Sequence, residues 1–246
     1  MYTIDLNCDM GEGLTNDAFL MPYISSANIA CGYHAGNETI MKHTVELALL
    51  NNVAIGAHPG FNDTANFGRT EMRLPLDEVQ ALVTEQLYVL QKIAERAGAK
   101  LHHVKPHGAL YNMSAKDPLL ANTIAKAVYA FDRGLLLFGL SGSHSIAEAK
   151  KEGLATVSEV FADRTYQDNG NLTPRSEAHA LIENKEQSLR QVLQMIQQQT
   201  VTSTNNIQVP IIAESICIHG DGSHAVDFAK HIYHTLKQHH IGIQAI

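Results

Sequence analysis

A lysine and a histidine follow a short apolar run at residues 105–112, KPHGALYN. A strand end that serves only packing normally passes into an ordinary turn rich in Gly, Asn, Asp or Ser. Lys105 and His107 instead supply an ammonium group and an imidazole, which neutralise anions and transfer protons. The sequence therefore indicates a polar site at the end of this strand.

Other predicted strands end in the same kind of residue. The further ionisable residues at strand ends are Asp9, His34, His58, Glu159, His219 and Asp221. A sealed core cannot easily hold so many ionisable groups without partners, whereas a polar mouth can bind and react. Any one histidine is more often structural, and Lys105 alone could serve only an ion pair. The set as a whole is what indicates a binding or catalytic site.

A metal centre is one chemistry that these residues could support. Asp9, His34 and His58 belong to successive predicted strands. One carboxylate and two imidazoles can hold zinc or another divalent ion with an open coordination position. No HExxH motif supports this hypothesis. A metal-dependent amidohydrolase or deacetylase therefore stays an alternative interpretation.

Seven apolar runs alternate with helical patterns along the chain. The predicted strands lie at residues 2–9, 26–34, 53–60, 101–108, 134–142, 155–163 and 210–221. The predicted helices lie at residues 37–52, 75–98, 117–131, 142–153, 177–198 and 223–238. Repeated strand–helix units imply parallel strands joined by right-handed crossovers. The prediction is an α/β fold whose strands close into a (β/α) barrel, with an open doubly wound sheet as the alternative.

Side-chain alternation favours the barrel. Asp5, Asn7 and Asp9 share one face of the first strand, and the apolar residues between them share the other. The same alternation places three polar residues on one face of the fourth strand: His103, Lys105 and His107. Polar residues at the C-terminal ends of nearly every strand are typical of a barrel, whereas an open sheet concentrates its chemistry at one switch point.

Composition limits the kind of protein. The 246 residues are 45% hydrophobic and contain no Pro/Ser/Gly-rich linker, so we predict one domain over residues 1–246, with residues 197–206 as a surface loop. The net charge of -7, without a basic patch, argues against a nucleic-acid partner. The N-terminus lacks an apolar signal core, and no run approaches a membrane span, so we expect a cytoplasmic protein.

The cysteines do not indicate a redox or zinc motif. Cys8, Cys31 and Cys217 are an odd number and contain no CxxC pair. Neither a disulfide framework nor a cysteine zinc site is therefore predicted. Each is expected to be a small buried apolar residue.

Six motifs distributed along the chain extend the interpretation. They are DLNCDMGEG, ANIACGYHAGN, GAHPGF with FGR, VKPHGALYN, EVFADRTY and CIHGD, in this order from Asp5 to Asp221. Together they resemble the LamB/YcsF family. The resemblance implies a distorted seven-unit (β/α) barrel, similar to the barrels of polysaccharide deacetylases. It also implies ATP-driven opening of 5-oxoproline to glutamate, performed together with two partner subunits, B and C.

The implied reaction sets requirements for the site. A five-membered lactam is an unreactive amide, and phosphorylation of its carbonyl oxygen by ATP, as the Mg²⁺ complex, would make the carbon electrophilic for water. Under this hypothesis Asp9 or Glu159 activates water, Lys105 neutralises developing negative charge, and His107 transfers a proton.

Substrate contacts are assigned to a second group of residues. Arg69 and Arg164 are candidate clamps for the substrate carboxylate, because a guanidinium binds a carboxylate bidentately. Asn7 is the candidate for orienting the lactam amide, with Asn28 as a weaker substitute. The remaining strand-end residues are expected to contact the substrate as well: His34, His58, His219 and Asp221.

Nucleotide binding has no sequence signature in this chain. There is no GxxxxGK[ST] loop and no GxGxxG after a strand, so ATP needs another arrangement in the barrel or the partner subunits. A noncatalytic subunit that only binds 5-oxoproline is a further alternative. Catalysis is favoured because a carrier needs few ionisable groups beyond a carboxylate clamp.

Overall fold

The strands of the protein were located in a computed structural model that describes residues 2–219 and 225–246. In chain order they are β1 (Thr3–Met10), β2 (Ser26–Ala30), β3 (Ala54–His58), β4 (His103–Val104), β5 (Leu136–Leu140), β6 (Thr156–Phe161), β7 (Thr200–Thr202), β8 (Gln208–Pro210), β9 (Ser215–Ile218) and β10 (Gly242–Ile243). Strands β1 to β6 and β9 are parallel and form a closed barrel of seven strands.

Closure joins the first barrel strand to the last. β9 pairs with β6 on one side and with β1 on the other, where Asp5 lies opposite Ser215 and Cys8 opposite Ile218. β10 adds a short parallel pairing to the start of β1. The α/β barrel prediction is therefore confirmed, and the open doubly wound sheet is wrong.

Helices surround the barrel. In chain order they are α1 (Asp17–Leu20), α2 (Glu38–Leu50), α3 (Leu76–Arg96), α4 (Gly108–Lys116), α5 (Pro118–Phe131), α6 (His144–Lys151), α7 (Lys185–Gln198) and α8 (Ala225–Gln238). The predicted capping residue Asn37 accepts a hydrogen bond from the Ile40 amide at 3.0 Å and so starts α2. Asp117 caps α5 in the same way, with Pro118 at its first position. Within the described residues, no helix is both long and apolar enough to cross a membrane.

The two faces of the strands differ in chemistry. Leu6 and Cys8 belong to the buried apolar layer between strands and helices. Polar residues of β1 and β4 instead occupy the barrel interior, where space is limited. A Cβ atom at Gly56 of β3 would lie only 2.0 Å from His103 Nε2, so the glycine makes room for the imidazole. The interior is thus filled by polar side chains that the alternation of residues predicts.

Some element boundaries differ from the sequence prediction. Helix α7 begins at Lys185 and not at residue 177, because Asn184 caps it by accepting from the Gln187 amide at 2.8 Å. Residues 163–182 instead form a segment that lies over the barrel mouth, and we call it the covering segment. Two isolated antiparallel β-bridges hold it together, one between Arg164 and Leu181 and one between Tyr166 and Leu172.

Two further differences concern strands. The predicted surface loop at residues 197–206 contains β7, which forms an antiparallel hairpin with β8 and buries Val201. The fourth barrel strand is only His103–Val104, because the chain turns at residues 105–107 into helix α4, which the sequence did not predict. Because of this turn, the side chains of Lys105 and His107 lie in the barrel mouth.

Candidate active site

Lys105 lies at the centre of the barrel and is only 2% exposed. Its Nζ atom is 2.8 Å from Glu159 Oε1, 2.9 Å from Asp9 Oδ1 and 3.2 Å from Asn7 Oδ1. Burial lowers the pKa of Lys105, but the negative charges around it, Asp9 foremost, outweigh burial and hold that pKa well above its usual value. Lys105 is therefore an ammonium group that ties two carboxylates together.

Asp9 is the carboxylate of this group that reaches the barrel mouth. Its Oδ1 atom accepts hydrogen bonds from Lys105 and from Asn28 Nδ2 at 2.9 Å each, and its Oδ2 atom is 3.3 Å from His58 Nε2. Burial raises the pKa of Asp9, but the charges of His58 and Lys105 together hold it well below its usual value. Asp9 is thus ionised at neutral pH.

Three histidines and a glutamate lie beside Asp9, and we call Glu12, His34, His58 and His107 the histidine cluster. The His34 and His107 rings stack with centroids 3.7 Å apart. His107 Nδ1 is 2.9 Å from His58 Nε2, and Glu12 Oε1 is 3.5 Å from His34 Nε2 and 3.6 Å from His107 Nδ1. Burial, followed by the charge of His58, lowers the pKa of His34 to about 3, so this ring is neutral.

Glycines of two sequence motifs make room for the cluster. A Cβ atom at Gly60 would lie 2.8 Å from His34 Nδ1. One at Gly68, where φ is +65°, would lie 2.7 Å from His34 Cβ and 2.9 Å from His107 Cδ2. The GAHPGF and FGR motifs therefore shape the imidazole site as well as supplying residues to it.

A cavity of about 360 Å³ opens onto these groups. The predicted site residues that line it are Asp9, His58, Arg69, Lys105, His107, Arg164 and His219. Lys116 and Arg175, both exposed, add positive charge to its wall, and Tyr111 contributes a phenol. Glu12 and Glu71 also line the cavity, so its lining includes carboxylates besides Asp9 but carries more cations than carboxylates.

Three predicted site residues lie away from the cavity wall, and one lies outside the described residues. Asn7 donates to Ser215 Oγ at 2.7 Å and accepts from Asn28 at 2.8 Å, one layer below Asp9. Glu159 is fully buried behind Lys105, and His34 is fully buried behind the stacked ring of His107. Asp221 is the residue that the structure does not describe.

Arg164 has a structural connection that its predicted role did not include. Its Nη2 donates to the Thr173 carbonyl at 2.5 Å and its Nε to the Ala180 carbonyl at 3.2 Å, so the buried guanidinium holds the covering segment over the cavity. Burial, followed by the charge of Arg175, lowers the pKa of Arg164 to about 10, which leaves it charged at neutral pH. Its role as a carboxylate clamp stays a prediction.

Sequence reasoning missed Glu12, Lys116, Tyr111 and Arg175. Glu12 had a signal, because it lies between Gly11 and Gly13, which have φ of +69° and +85° immediately after β1. Such a turn can present a carboxylate at a strand end. Lys116 and Tyr111 had no comparable signal because they lie on the unpredicted helix α4, and Arg175 belongs to the covering segment.

The closed barrel of parallel strands, with polar residues at its mouth, places the chain in the broad class of (β/α) barrel proteins. A peptidoglycan deacetylase from Bacillus subtilis shares the fold, with a TM-score of 0.52 and 11% identity over 99% of this chain and 88% of that chain. At this identity the similarity concerns the fold alone.

The sequence profile of the LamB/YcsF family matches residues 4–246, and the chain belongs to that family. A relative from Bacillus cereus (strain AH187), named as the A subunit of 5-oxoprolinase, is 49% identical over 251 aligned positions, covering 100% of this chain and 99% of the relative. The crystal structure of a lactam utilization protein from Thermus thermophilus has a TM-score of 0.93 and 39% identity, covering 99% of this chain and 100% of that chain. The resemblance inferred from the sequence motifs is confirmed.

Proposed function

We propose that this chain is the A subunit of an ATP-dependent 5-oxoprolinase. It would cleave 5-oxo-L-proline to L-glutamate, with hydrolysis of ATP to ADP and phosphate, in the cytoplasm and together with subunits B and C. Full-length similarity to a relative of that name supports the reaction class. The structural observation that carries the proposal is the ionised Asp9 in a small cavity whose lining carries more cations than carboxylates.

The cavity suits a small anionic lactam. Its volume of about 360 Å³ is near the lower end of the range typical of ligand pockets, about 300–1,000 Å³. Arg69, Lys116 and Arg175 line it, and guanidinium or ammonium groups attract a substrate carboxylate. Arg69 and Arg175 are the proposed clamps because both line the cavity. Arg164 is assigned instead to the covering segment, because its guanidinium donates to two backbone carbonyls.

Asp9 is the proposed partner of the attacking water. Of the two carboxylates considered from the sequence, Asp9 lines the cavity and Glu159 lies behind Lys105. Lys105 keeps Asp9 ionised and fixes its orientation, so that Oδ2 can accept a hydrogen bond from water. Lys105 thus acts on the reaction through Asp9.

The lactam nitrogen must receive a proton when the ring opens. A histidine can supply it only through an imidazole nitrogen that is not already hydrogen-bonded within the protein. His107 has Nδ1 next to His58 and Nε2 hydrogen-bonded to the Phe67 carbonyl at 2.8 Å. His219 also lines the cavity and is held through Nδ1 by Asp163 at 2.8 Å. We therefore place proton transfer on His219 through Nε2, in preference to His107.

The proposed sequence of bonds accounts for the use of ATP. The γ-phosphoryl group of ATP, delivered as the Mg²⁺ complex, is transferred to the lactam carbonyl oxygen and makes the ring carbon electrophilic. Water adds to that carbon, and the carbon–nitrogen bond breaks as the nitrogen takes a proton, which leaves the new carboxyl group as an acyl phosphate. A second water then hydrolyses the acyl phosphate to the carboxylate of glutamate and inorganic phosphate. Because the sequence contains no P-loop, the partner subunits are the proposed source of the nucleotide site.

Reconstitution tests the proposal. The chain is assayed alone and with its two partners for glutamate release from 5-oxoproline, with and without ATP. ATP-dependent release by the complete assembly is expected, and its absence would defeat the proposal. Cleavage of amides by the chain alone without ATP would favour a metal-dependent amidohydrolase, the alternative that the histidine cluster supports.

A carrier role is separated by kinetics. If the chain only binds 5-oxoproline, Asp9→Asn should raise KM and leave kcat of the assembly unchanged. If it catalyses ring opening, the same change should lower kcat.

A further inference from the structure

In the histidine cluster, ring nitrogens that carry lone pairs lie close together. The hydrogen bonds around the cluster place the protons of these rings on their other nitrogens. His58 Nδ1 lies 2.7 Å from the Lys105 carbonyl oxygen, and His107 Nε2 lies 2.8 Å from the Phe67 carbonyl oxygen. A carbonyl oxygen can only accept, so each of these ring nitrogens carries the proton in the hydrogen-bond network. In the neutral rings, His58 Nε2 and His107 Nδ1 therefore point lone pairs at each other across 2.9 Å.

One added proton on His58 Nε2 would relieve the two opposed lone pairs, because it could be shared with His107 or with Asp9. The same proton would not reach His34. Among the described residues, His34 is fully buried and neither of its ring nitrogens has a hydrogen-bond partner, which is costly for a polar side chain. Its Nε2 atom faces Glu12 Oε1 at 3.5 Å.

We propose that the histidine cluster is a binding site for a divalent transition metal of the zinc type, with Glu12, His34, His58 and His107 as ligands. The four candidate ligand atoms lie within 4.8 Å of one another. Bonds to zinc of about 2.0–2.1 Å separate tetrahedral ligands by about 3.3 Å. Three of the six pairs of ligand atoms are separated by 2.9, 3.5 and 3.6 Å in the structure, on either side of that value.

The surroundings of the cluster match those of a metal site. Imidazole ligands normally donate their outer N–H to a carbonyl or carboxylate, which fixes the tautomer and aims the inner nitrogen at the metal. The Lys105 and Phe67 carbonyls do this for His58 and His107. Three imidazoles with one carboxylate suit zinc and its transition-metal neighbours better than magnesium or calcium.

This set differs from the Asp9, His34 and His58 combination considered from the sequence. Asp9 Oδ1 is held by Lys105 and Asn28, whereas Glu12 and His107 converge with the two histidines. Because Glu12, His58 and His107 also line the cavity, a metal ion there would adjoin the substrate space and could polarise a carbonyl or acidify a water. The inference concerns binding and does not depend on the proposed 5-oxoprolinase activity.

Metal content and stability test the site directly. The full chain is stripped with a chelator, incubated with Zn²⁺, freed of unbound metal and analysed by elemental analysis and thermal melting. Stoichiometric zinc and a Tm raised by several degrees are expected, because a ligand of the folded state stabilises it. Co²⁺ should give the visible absorption of a tetrahedral centre. Failure of the wild-type chain to retain Zn²⁺ or Co²⁺, with an unchanged Tm, would overturn the proposal.

Matched variants locate the metal. His58→Asn keeps a donor near the Nδ1 position and loses Nε2, and His107→Gln keeps a donor near the Nε2 position and loses Nδ1. The double variant should lose at least about 100-fold in Zn²⁺ affinity, since even changes beyond the ligands cost about 10–100-fold. His103→Asn, at a buried barrel histidine outside the cluster, should retain zinc.

Folding of the variants is checked by far-UV circular dichroism. Glu12→Gln supplies a second test if the double variant does not fold, because it alters one ligand on a turn outside the barrel strands. Zinc affinity that is unchanged in a folded double variant, or in Glu12→Gln if the double variant is unfolded, would show that the metal binds elsewhere and contradict the assignment.

Discussion

Asp5 and Asp9 share one strand and one face, but they lie in two layers of the barrel with opposite electrostatics. Asp5 accepts hydrogen bonds from Ser25 and Ser26 at 2.6 and 2.7 Å and also from Ser215. Burial outweighs these neutral donors and raises the pKa of Asp5. Around Asp9, the charges of Lys105 and His58 outweigh burial and lower the pKa.

The difference shows that position along the barrel axis decides what a buried carboxylate can do. The lower layer surrounds Asp5 with hydroxyl groups and has no part in the cavity lining. The upper layer pairs Asp9 with a permanent cation and opens it to the cavity. Substitutions of Lys105, Asp9 and Asp5 test how far the two layers are independent, and a fourth, at Arg175, tests the exposed cavity wall beyond them.

The largest effect is expected from Lys105→Met. Removing the ammonium leaves Asp9 and Glu159 as buried carboxylates without their cation, which typically costs about 3–5 kcal/mol of unfolding free energy. Urea unfolding measures the loss. The double variant Lys105→Met/Glu159→Gln, which removes one of the two stranded charges, should recover part of it. A stable single variant would show that Lys105 does not hold the upper layer together.

Asp9→Asn should affect turnover more than stability. Loss of the carboxylate that orients water is expected to lower kcat of the reconstituted assembly by about 10²–10⁴-fold. The Tm should fall by only a few degrees, because Glu159 still pairs with Lys105. A variant with near-normal kcat and a much lower Tm would assign Asp9 to the scaffold, as Asp5 is.

Asp5→Asn should show the opposite balance. Turnover per folded molecule is expected to stay near wild type, while the unfolding free energy falls by about 1–3 kcal/mol through disturbed hydrogen bonds to the serines. Because the folded pKa of Asp5 is raised, protonation stabilises the native wild-type chain. The wild-type advantage should therefore grow as pH falls from neutrality towards the ordinary value of 3.8 and shrink as pH rises. Melting both proteins over this range checks the sign.

Arg175→Ala should give the smallest effect. Arg175 is an exposed cation on the cavity wall, so its removal should raise KM for an anionic substrate several-fold and leave the Tm within about 1 °C. The KM difference from wild type should diminish at high salt because exposed charges are screened. Lys185→Ala, at an exposed cation outside this cavity, is the control. Equal KM changes in both variants would indicate a general charge effect.

Much of the barrel and part of the site could be predicted from local sequence patterns. Alternation along β1 correctly placed Asp5 and Asp9 in the interior, because a strand exposes successive side chains to opposite faces. The positions of Lys105, His58 and His107 at strand ends correctly predicted that they share one site, the cavity at the barrel mouth. These inferences use only the geometry of single strands and the common end at which parallel strands meet.

The remainder depends on contacts between distant segments. The sequence could not separate Asp9 from Glu159 as cavity residues, since both belong to barrel strands and only the position of Lys105 places Glu159 behind it. Helix periodicity before Lys185 was misleading because Arg164 draws residues 173 and 180 into the covering segment. Glu12 joins the histidines through a glycine turn whose direction no periodicity encodes.

Pairing of β1 with β9 has a consequence for how the chain acquires its structure. Asp5 and Ser215 are 210 residues apart in sequence, so the β1–β9 pairing that closes the barrel joins residues of very large sequence separation. During synthesis, β1 and β6 keep unpaired edges until β9 leaves the ribosome, and such edges favour aggregation. We expect a chain truncated after residue 214 to be protease-sensitive and in need of chaperones, and protease resistance of that fragment would contradict late closure.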